Sequence, residues 1–329
     1  MRILTTGGTI ASLPDPDTGA KRPALSGEEL VASVPGLDKV ATVEVAEIVS
    51  VTSWNLTPGD MLAVARRASE ALAEPDVDGV VVTHGTDTLE ETAFLADLTL
   101  RSDRPVAVVG AMRSVDELSA DGPRNLLNAV RVAAAPEARG VGAVVVMGDE
   151  IHAARWVRKL DSGLTSAFGS PRRGPIGRVT PGSLDLPWVP PRGFTADLPE
   201  ALTHEVPIVS GYPGMDAAVI DAVVEAGDAA GLVVEGTGSG NVPGGAMPAI
   251  RRAIERGLPV VAATRVPGGA GRSGYGSPGG GAELRGLGVV GAGPLSAGKA
   301  RLLLMTLLAN GMSAGDAARA FEEAVATFR

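Results

Sequence analysis

The sequence predicts an α/β protein of two domains, each built on a largely parallel sheet, the N-terminal domain larger than the C-terminal one. Three observations carry this. Short, wholly apolar runs alternate with segments of helical period, as buried parallel strands alternate with helices. The chain has 329 residues, more than one hydrophobic core usually supports. A proline-rich break, Leu186-Pro187-Trp188-Val189-Pro190-Pro191-Arg192-Gly193, interrupts the pattern where no helix continues. The predicted boundaries are a domain over 1–185, a linker over 186–205 and a second domain over 206–329.

In the first domain the runs 2–5, 80–83, 105–110 and 142–147 read as buried strands. Thr57-Pro58-Gly59-Asp60 supplies an N-cap, a proline at the first helical position and an acid at the third. Met61, Val64, Ala65, Ala68 and Leu72 then recur at helical spacing. Thr88-Leu89-Glu90-Glu91 reads as a second capping box, opening a helix to about Leu98, and Pro123 opens a third helix through Val130. In the second domain, strands are expected at 206–210, 231–235, 258–264 and 287–291. Helices are expected near 215–226, 246–256, 296–309 and 314–327. In such sheets ligands bind beyond the carboxyl ends of strands, which ranks the loops for function.

Composition narrows the chemistry. A net charge of -9 disfavours a nucleic-acid partner, which wants a basic face. No cysteine is present, which removes disulfides, thiolate catalysis and Cys-bound zinc. His84, His152 and His204 do not stand at metal-ligand spacing, so no metal and no cofactor is expected. No run is long enough to span a bilayer, and the N-terminus carries no apolar run of signal-peptide length. The cytoplasm is the expected location.

Two strand ends stand out. The first strand runs into Thr5-Thr6-Gly7-Gly8-Thr9-Ile10-Ala11-Ser12, whose glycines allow a sharp turn and close approach of a ligand. By itself this segment also fits a plain turn. The second runs into Thr83-His84-Gly85-Thr86-Asp87-Thr88, with a hydroxyl and a carboxylate side by side. His84 reads as a structural histidine, since no serine and aspartate accompany it in a triad order. Lys159 is one of only four lysines among 29 basic residues. Unlike arginine, a lysine becomes a base when burial lowers its pKa. Gly293 to Ala300 imitates a phosphate loop but lacks its final hydroxyl, and Gly236 to Asn241 is not a nucleophile elbow.

Together these segments resemble the bacterial-type L-asparaginase family. Thr6 to Ala11 and Thr83 to Thr88 look like its two signature motifs, and both in this order are highly specific. The likeness continues through Val109-Gly110-Ala111-Met112-Arg113, Ser119-Ala120-Asp121-Gly122-Pro123, Gly236 to Asn241, Arg265-Val266-Pro267 and Lys299-Ala300-Arg301. It implies hydrolysis of the side-chain amide of L-asparagine, with Thr9 as nucleophile and Thr86 and Lys159 as a second hydroxyl and its base. It further implies that Asp87 binds the substrate's α-amino group, Ser53 its α-carboxylate, and the backbone of Ala111 the departing amide. Asn241 matches an asparagine that reaches the active site of a neighbouring subunit, and a homodimer or homotetramer is implied. Direct hydrolysis and two displacements through an acyl-Thr9 ester both fit these residues.

The chain departs from the family in three places. Many relatives carry a tyrosine in the loop after the first threonine, whereas residues 12–25 contain none and the chain has only Tyr212 and Tyr275. Tyr275, in a Gly-rich stretch, either supplies the missing phenol or is a loop residue without a catalytic role. Glu283 is the nearest acid after that stretch, placed either against the substrate's amino group or in solvent. Trp54 stands where many relatives have glutamine; its ring should shrink the pocket and favour asparagine over glutamine. The competing readings are a glutaminase-asparaginase of broad specificity, an amidotransferase subunit acting on charged tRNA, a catalytically silent binding protein and a nucleotide-binding protein.

Overall fold

The computed structural model describes residues 1–15, 17–270 and 274–328. The chain forms two compact units, Met1–Arg192 and Gly193–Arg329.

The first unit opens with β1 (Arg2–Thr5), a tight helical turn over Thr9–Ala11, and a hairpin of β2 (Ser12–Pro14) and β3 (Lys21–Pro23). A capping box between Ser26 and Glu29 starts α1 (Gly27–Ala32), and β4 (Glu44–Glu47) follows. The box expected at Thr57 and Asp60 forms in both halves and starts α2 (Pro58–Ala73). Next come β5 (Val80–Thr83), α3 (Leu89–Thr99), β6 (Val106–Val109), α4 (Gly122–Ala134) and β7 (Ala143–Met147). Five short strands close the unit: β8 (Glu150–Ala153), β9 (Arg158–Lys159), β10 (Phe168–Gly169), β11 (Gly177–Val179) and β12 (Leu184–Asp185).

The sheet order is β12-β11-β8-β7-β6-β5-β1-β4. Strands β7, β6, β5, β1 and β4 pair in parallel, while β8, β11 and β12 are antiparallel additions. The hairpin from β7 to β8 turns on Gly148 and Asp149, both with positive φ (58 and 67). That matches the two-residue turn whose twist suits a hairpin. Val80, Val81, Val82, Val106, Val108, Val144 and Val145 are fully buried. Burial of each such side chain contributes about 1.5 kcal/mol or more, so the centre of the sheet is the rigid part of the unit.

One local expectation fails. Thr88 precedes α3, but its hydroxyl makes no cap; it donates to the carbonyl of Ser53 at 2.9 Å. The helix forms because its apolar residues are buried, among them Leu89, Ala93, Phe94, Leu95 and Leu98.

The second unit contains β13 (Ile208–Ser210), α5 (Ala218–Glu225), β14 (Leu232–Gly236), α6 (Met247–Glu255), β15 (Val260–Thr264), α7 (Gly281–Gly286), β16 (Val290–Gly291), α8 (Ala297–Ala309) and α9 (Ala314–Thr327). Its four strands are all parallel, in the order β13-β14-β15-β16. The last strand is shorter than the expected 287–291, because α7 closes at Leu287 and Gly288 turns away with φ 92. The Gly-rich loop after β15 includes residues 271–273, which lie outside the described residues. No helix among the described residues is long and apolar enough to cross a membrane.

Candidate active site

The chain leaves β1 towards β4 on one side of the sheet and continues from β5 to β6 on the other. A crevice is expected where connections diverge like this, beyond the carboxyl ends of β1 and β5. The two strands pair with Thr5 opposite Thr83, so the turns carrying Thr9 and Thr86 emerge side by side.

Glycines let these turns touch. Gly7 and Gly8 have φ of 88 and 89, a region that penalises any side chain. A Cβ on Gly8 would stand 2.4 Å from the Cα and N of Gly85. A Cβ on Gly85 would stand 2.7 Å from the Cβ and Oγ of Ser53. Gly8, Gly85 and Ser53 therefore form one line of close approach across three loops, backbone on backbone at Gly8 and Gly85 and backbone on side chain at Gly85 and Ser53. Thr6 fastens the first turn to the second, donating to the Thr83 carbonyl through both its N–H (3.1 Å) and its hydroxyl (3.0 Å). The Ser12 hydroxyl donates to the Gly8 carbonyl at 2.8 Å.

Lys159 reaches the second turn from β9. Its Nζ donates to Thr86 Oγ1 at 2.8 Å and to Asp87 Oδ1 at 2.6 Å. The Lys159 side chain is 17% exposed, whereas that of Asp87 is 47% exposed and open to a ligand. The backbone N–H of Lys159 donates to Glu90 Oε2 at 2.7 Å, which ties β9 to the start of α3. Past Lys159, the N–H groups of Gly163 and Leu164 donate to Asp161, and with the nearby Lys159 charge they lower its pKa.

Ser53 is buried, and its Oγ accepts the N–H of Asp87 at 3.3 Å. Its own hydroxyl proton remains available to a ligand. Ala111 is buried in the turn after β6. Asp121 holds that turn by accepting the N–H groups of Met112 (3.1 Å) and Arg113 (2.9 Å) and the Asn125 amide (3.0 Å). The Ser119 to Pro123 segment thus acts on the site through the backbone beside Ala111.

The result is a cleft of about 190 Å³, lined by Gly8, Thr9, Ser53, Trp54, Thr86, Asp87 and Lys159, with Ser12, Lys21, Thr52, Gly85, Met112 and Ser162 completing its wall. Pockets for drug-sized ligands begin at about 300 Å³, so the size suits a smaller molecule. Trp54 lines it and is 65% exposed. All these residues belong to the first unit.

His84, in the second turn, is fully buried. Its Nδ1 lies 2.7 Å from the Gly85 carbonyl and its Nε2 lies 2.8 Å from the Thr92 hydroxyl. Burial lowers its pKa to about 4, so near neutral pH it is an uncharged ring donating to a carbonyl and accepting from a hydroxyl. It positions the backbone of the second turn. Among the described residues, no three or more His, Asp or Glu side chains are grouped to hold a metal ion.

Asn241, Glu283 and Tyr275 belong to the second unit. The Asn241 carbonyl accepts the N–H of Thr237 at 2.8 Å, closing the turn after β14. Glu283 Oε2 accepts the N–H of Gly279 at 2.8 Å. The Tyr275 carbonyl accepts the N–H of Ala282 at 3.1 Å, and the residue is 66% exposed. Sequence reasoning missed Lys21, Met112 and Ser162 in the cleft wall and Glu90 as the anchor of Lys159. Lys21 had a signal, being as rare a residue type as Lys159.

Comparison with known proteins identifies relatives of the chain. Residues 1–192 match the model described as "Asparaginase, N-terminal", and residues 205–321 that described as "Glutaminase/Asparaginase C-terminal domain". The chain is 40% identical over 273 residues to L-asparaginase 2 of Bacillus subtilis, covering 80% of this chain and 72% of that one. It is 38% identical over 328 residues to a probable L-asparaginase of Deinococcus radiodurans, covering 99% and 98%. The crystal structure of a probable cytoplasmic L-asparaginase from Campylobacter jejuni is similar with a TM-score of 0.89, at 32% identity, over 99% of this chain and 98% of that one. With both domain models matched and a full-length relative at this identity, the chain belongs to the bacterial-type L-asparaginase family.

Proposed function

We propose that the protein converts L-asparagine and water to L-aspartate and ammonia, with Thr9 as nucleophile and Thr86, Asp87 and Lys159 serving substrate binding and proton transfer. The observation that supports this most is the bond from Lys159 Nζ to Thr86 Oγ1 beside Asp87, at the end of the strand paired with the one that carries Thr9. Asp87 takes the α-ammonium group, the Ser53 hydroxyl donates to the α-carboxylate, and the side-chain amide lies between Thr9 and the backbone at Ala111.

Thr9 Oγ1 adds to the amide carbon, the C–N bond breaks, and the Thr9 proton leaves on the nitrogen as ammonia. Water adds to the resulting ester; one of its protons enters the hydrogen-bonded pair of Thr86 Oγ1 and Lys159 Nζ, and an equivalent proton leaves that pair for Thr9 Oγ1 as the bond from Thr9 Oγ1 to the acyl carbon breaks and aspartate departs. N–H groups around Gly7, Gly8 and Thr86 face the developing oxyanion; losing one such donor typically costs roughly 3–4 kcal/mol. Ammonia release from L-asparagine by the purified protein tests the proposal. Turnover is expected; its absence would leave a silent binding protein of the same fold.

A second reading, a glutaminase-asparaginase of broad specificity, draws on the description of the matched C-terminal domain. The small cleft with Trp54 in its wall favours asparagine. One methylene is usually discriminated by about 10–200-fold. We therefore expect kcat/KM for L-asparagine to exceed that for L-glutamine by a factor in this range; equal values for the two amides would remove the preference.

We further propose a homodimer or homotetramer in the cytoplasm, with Asn241, Glu283 and Tyr275 of a neighbouring copy completing the cleft. Tyr275 then replaces the phenol that the loop after Thr9 lacks. On that basis Tyr275→Phe lowers kcat by about 100-fold, the lower end of general acid-base effects. Unchanged turnover in this variant would take the phenol out of the mechanism.

A further inference from the structure

The hairpin of β2 and β3 begins just after Thr9 and places Ser12 and Lys21 in the cleft wall. Little apolar packing seats it. Leu13 is half-buried, and Pro14 and the residues from Asp17 to Arg22 are exposed. Near Thr9 it is anchored by the N–H groups of Ala24 and Leu25, which donate to the Ala11 carbonyl at 2.9 and 3.0 Å. Further out, Lys21 Nζ donates to Ser114 Oγ and Glu117 Oε1, with Asp116 Oδ1 at 3.9 Å. Ser114 is buried, and its hydroxyl donates to the same Glu117 oxygen at 2.9 Å. Both residues lie in the loop after Ala111 and Met112, so the contact joins the hairpin to the loop that brings Met112 to the cleft wall.

We propose that Lys21 is a positioning residue whose ammonium, held by Ser114 and Glu117, latches the β2–β3 hairpin closed over Thr9 and the bound amino acid. The hydrogen bonds from Lys21 and Ser114 lower the Glu117 pKa to about 2, so the latch stays charged near neutral pH. Both partners are more than two-fifths exposed. Exposed ion pairs are weak and screened by salt, which suits a contact that opens and recloses with each turnover.

The kinetic arm of the test rests on the proposed asparagine hydrolysis; the exchange arm does not, so failure of one reading is distinguishable from failure of the other. Glu117→Gln, Lys21→Met and the reciprocal pair Lys21→Glu with Glu117→Lys are compared with the wild type at low salt. Each single change is expected to lower kcat/KM about fivefold, mainly through KM, and to speed amide hydrogen exchange over residues 12–15 and 20–22 by a similar factor. Exchange in β5 and β6 should stay unchanged. The reciprocal pair is expected to restore both readouts to within about twofold of the wild type. Unaltered exchange in Glu117→Gln, or a reciprocal pair no better than the single variants, overturns the latch.

Discussion

Thr9→Ala is expected to reduce asparagine turnover by about 10⁴-fold or more while leaving the protein folded and able to bind aspartate. Loss of a nucleophile removes the covalent route and leaves only what binding and oxyanion stabilisation supply. Thr9 is partly exposed in the cleft, and the turn around it is held by other groups: the Thr6 bonds to Thr83, the Ser12 bond to Gly8, and the contact between Gly8 and Gly85. Truncating Thr9 touches none of these, so the thermal midpoint should scarcely move. Ammonia release, with aspartate binding followed by calorimetry, checks both halves. A Thr9→Ala protein that keeps a tenth of wild-type turnover would move the nucleophile elsewhere.

Lys159→Met is expected to cost the next largest factor, about 10²–10⁴ in kcat, the usual range for a positioned acid or base. The methionine keeps much of the side-chain volume but removes both donors, to Thr86 Oγ1 and to Asp87 Oδ1. Asp87 is half exposed and is resolvated, so little folding stability is lost with this pair. The backbone bond from Lys159 to Glu90 survives the change, so β9 should keep its place. The loss therefore belongs in kcat, with KM altered less, because Asp87 and Ser53 still hold the amino acid. Steady-state kinetics of the variant separates the two constants. A rise in KM at constant kcat would make Lys159 a binding residue only.

Much of the site was legible because strand ends are legible. Val80 to Val82 and Ile3 to Leu4 are unbroken apolar runs, and the glycines and threonines that follow them mark where a parallel sheet presents its loops. Thr9, Thr86 and Asp87 stand there. Lys159 could not be placed in this way. It lies on a two-residue strand paired only with Phe168 and Gly169, too short for any period to register. Its contact with Thr86 spans a sequence separation that only the folded sheet brings together. The antiparallel strand β8 did leave a signal in Gly148-Asp149, the dipeptide of a tight hairpin, directly after the apolar run of β7. Thr88 shows the opposite case: a residue pattern typical of a cap was used instead for a loop contact to Ser53, because burial alone was enough to secure α3.

Glycine contacts were legible only in part. Gly7 and Gly8 were read as a turn, but the pressing of Gly8 on Gly85 and of Gly85 on Ser53 depends on the parallel register of β1 and β5. That register is a tertiary fact. Lys21 was missed for a similar reason, since its partners Ser114 and Glu117 lie far along the chain.

The central claim is that Thr9, and not Thr86, attacks the amide. It is tested most directly by treating the protein with an asparagine analogue whose side-chain amide is replaced by an electrophilic diazoketone, followed by peptide mass spectrometry. The account predicts one adduct per chain, on Thr9 Oγ1, blocked by excess aspartate and absent from Thr9→Ala. An adduct on Thr86, with Thr9 unmodified, would contradict it.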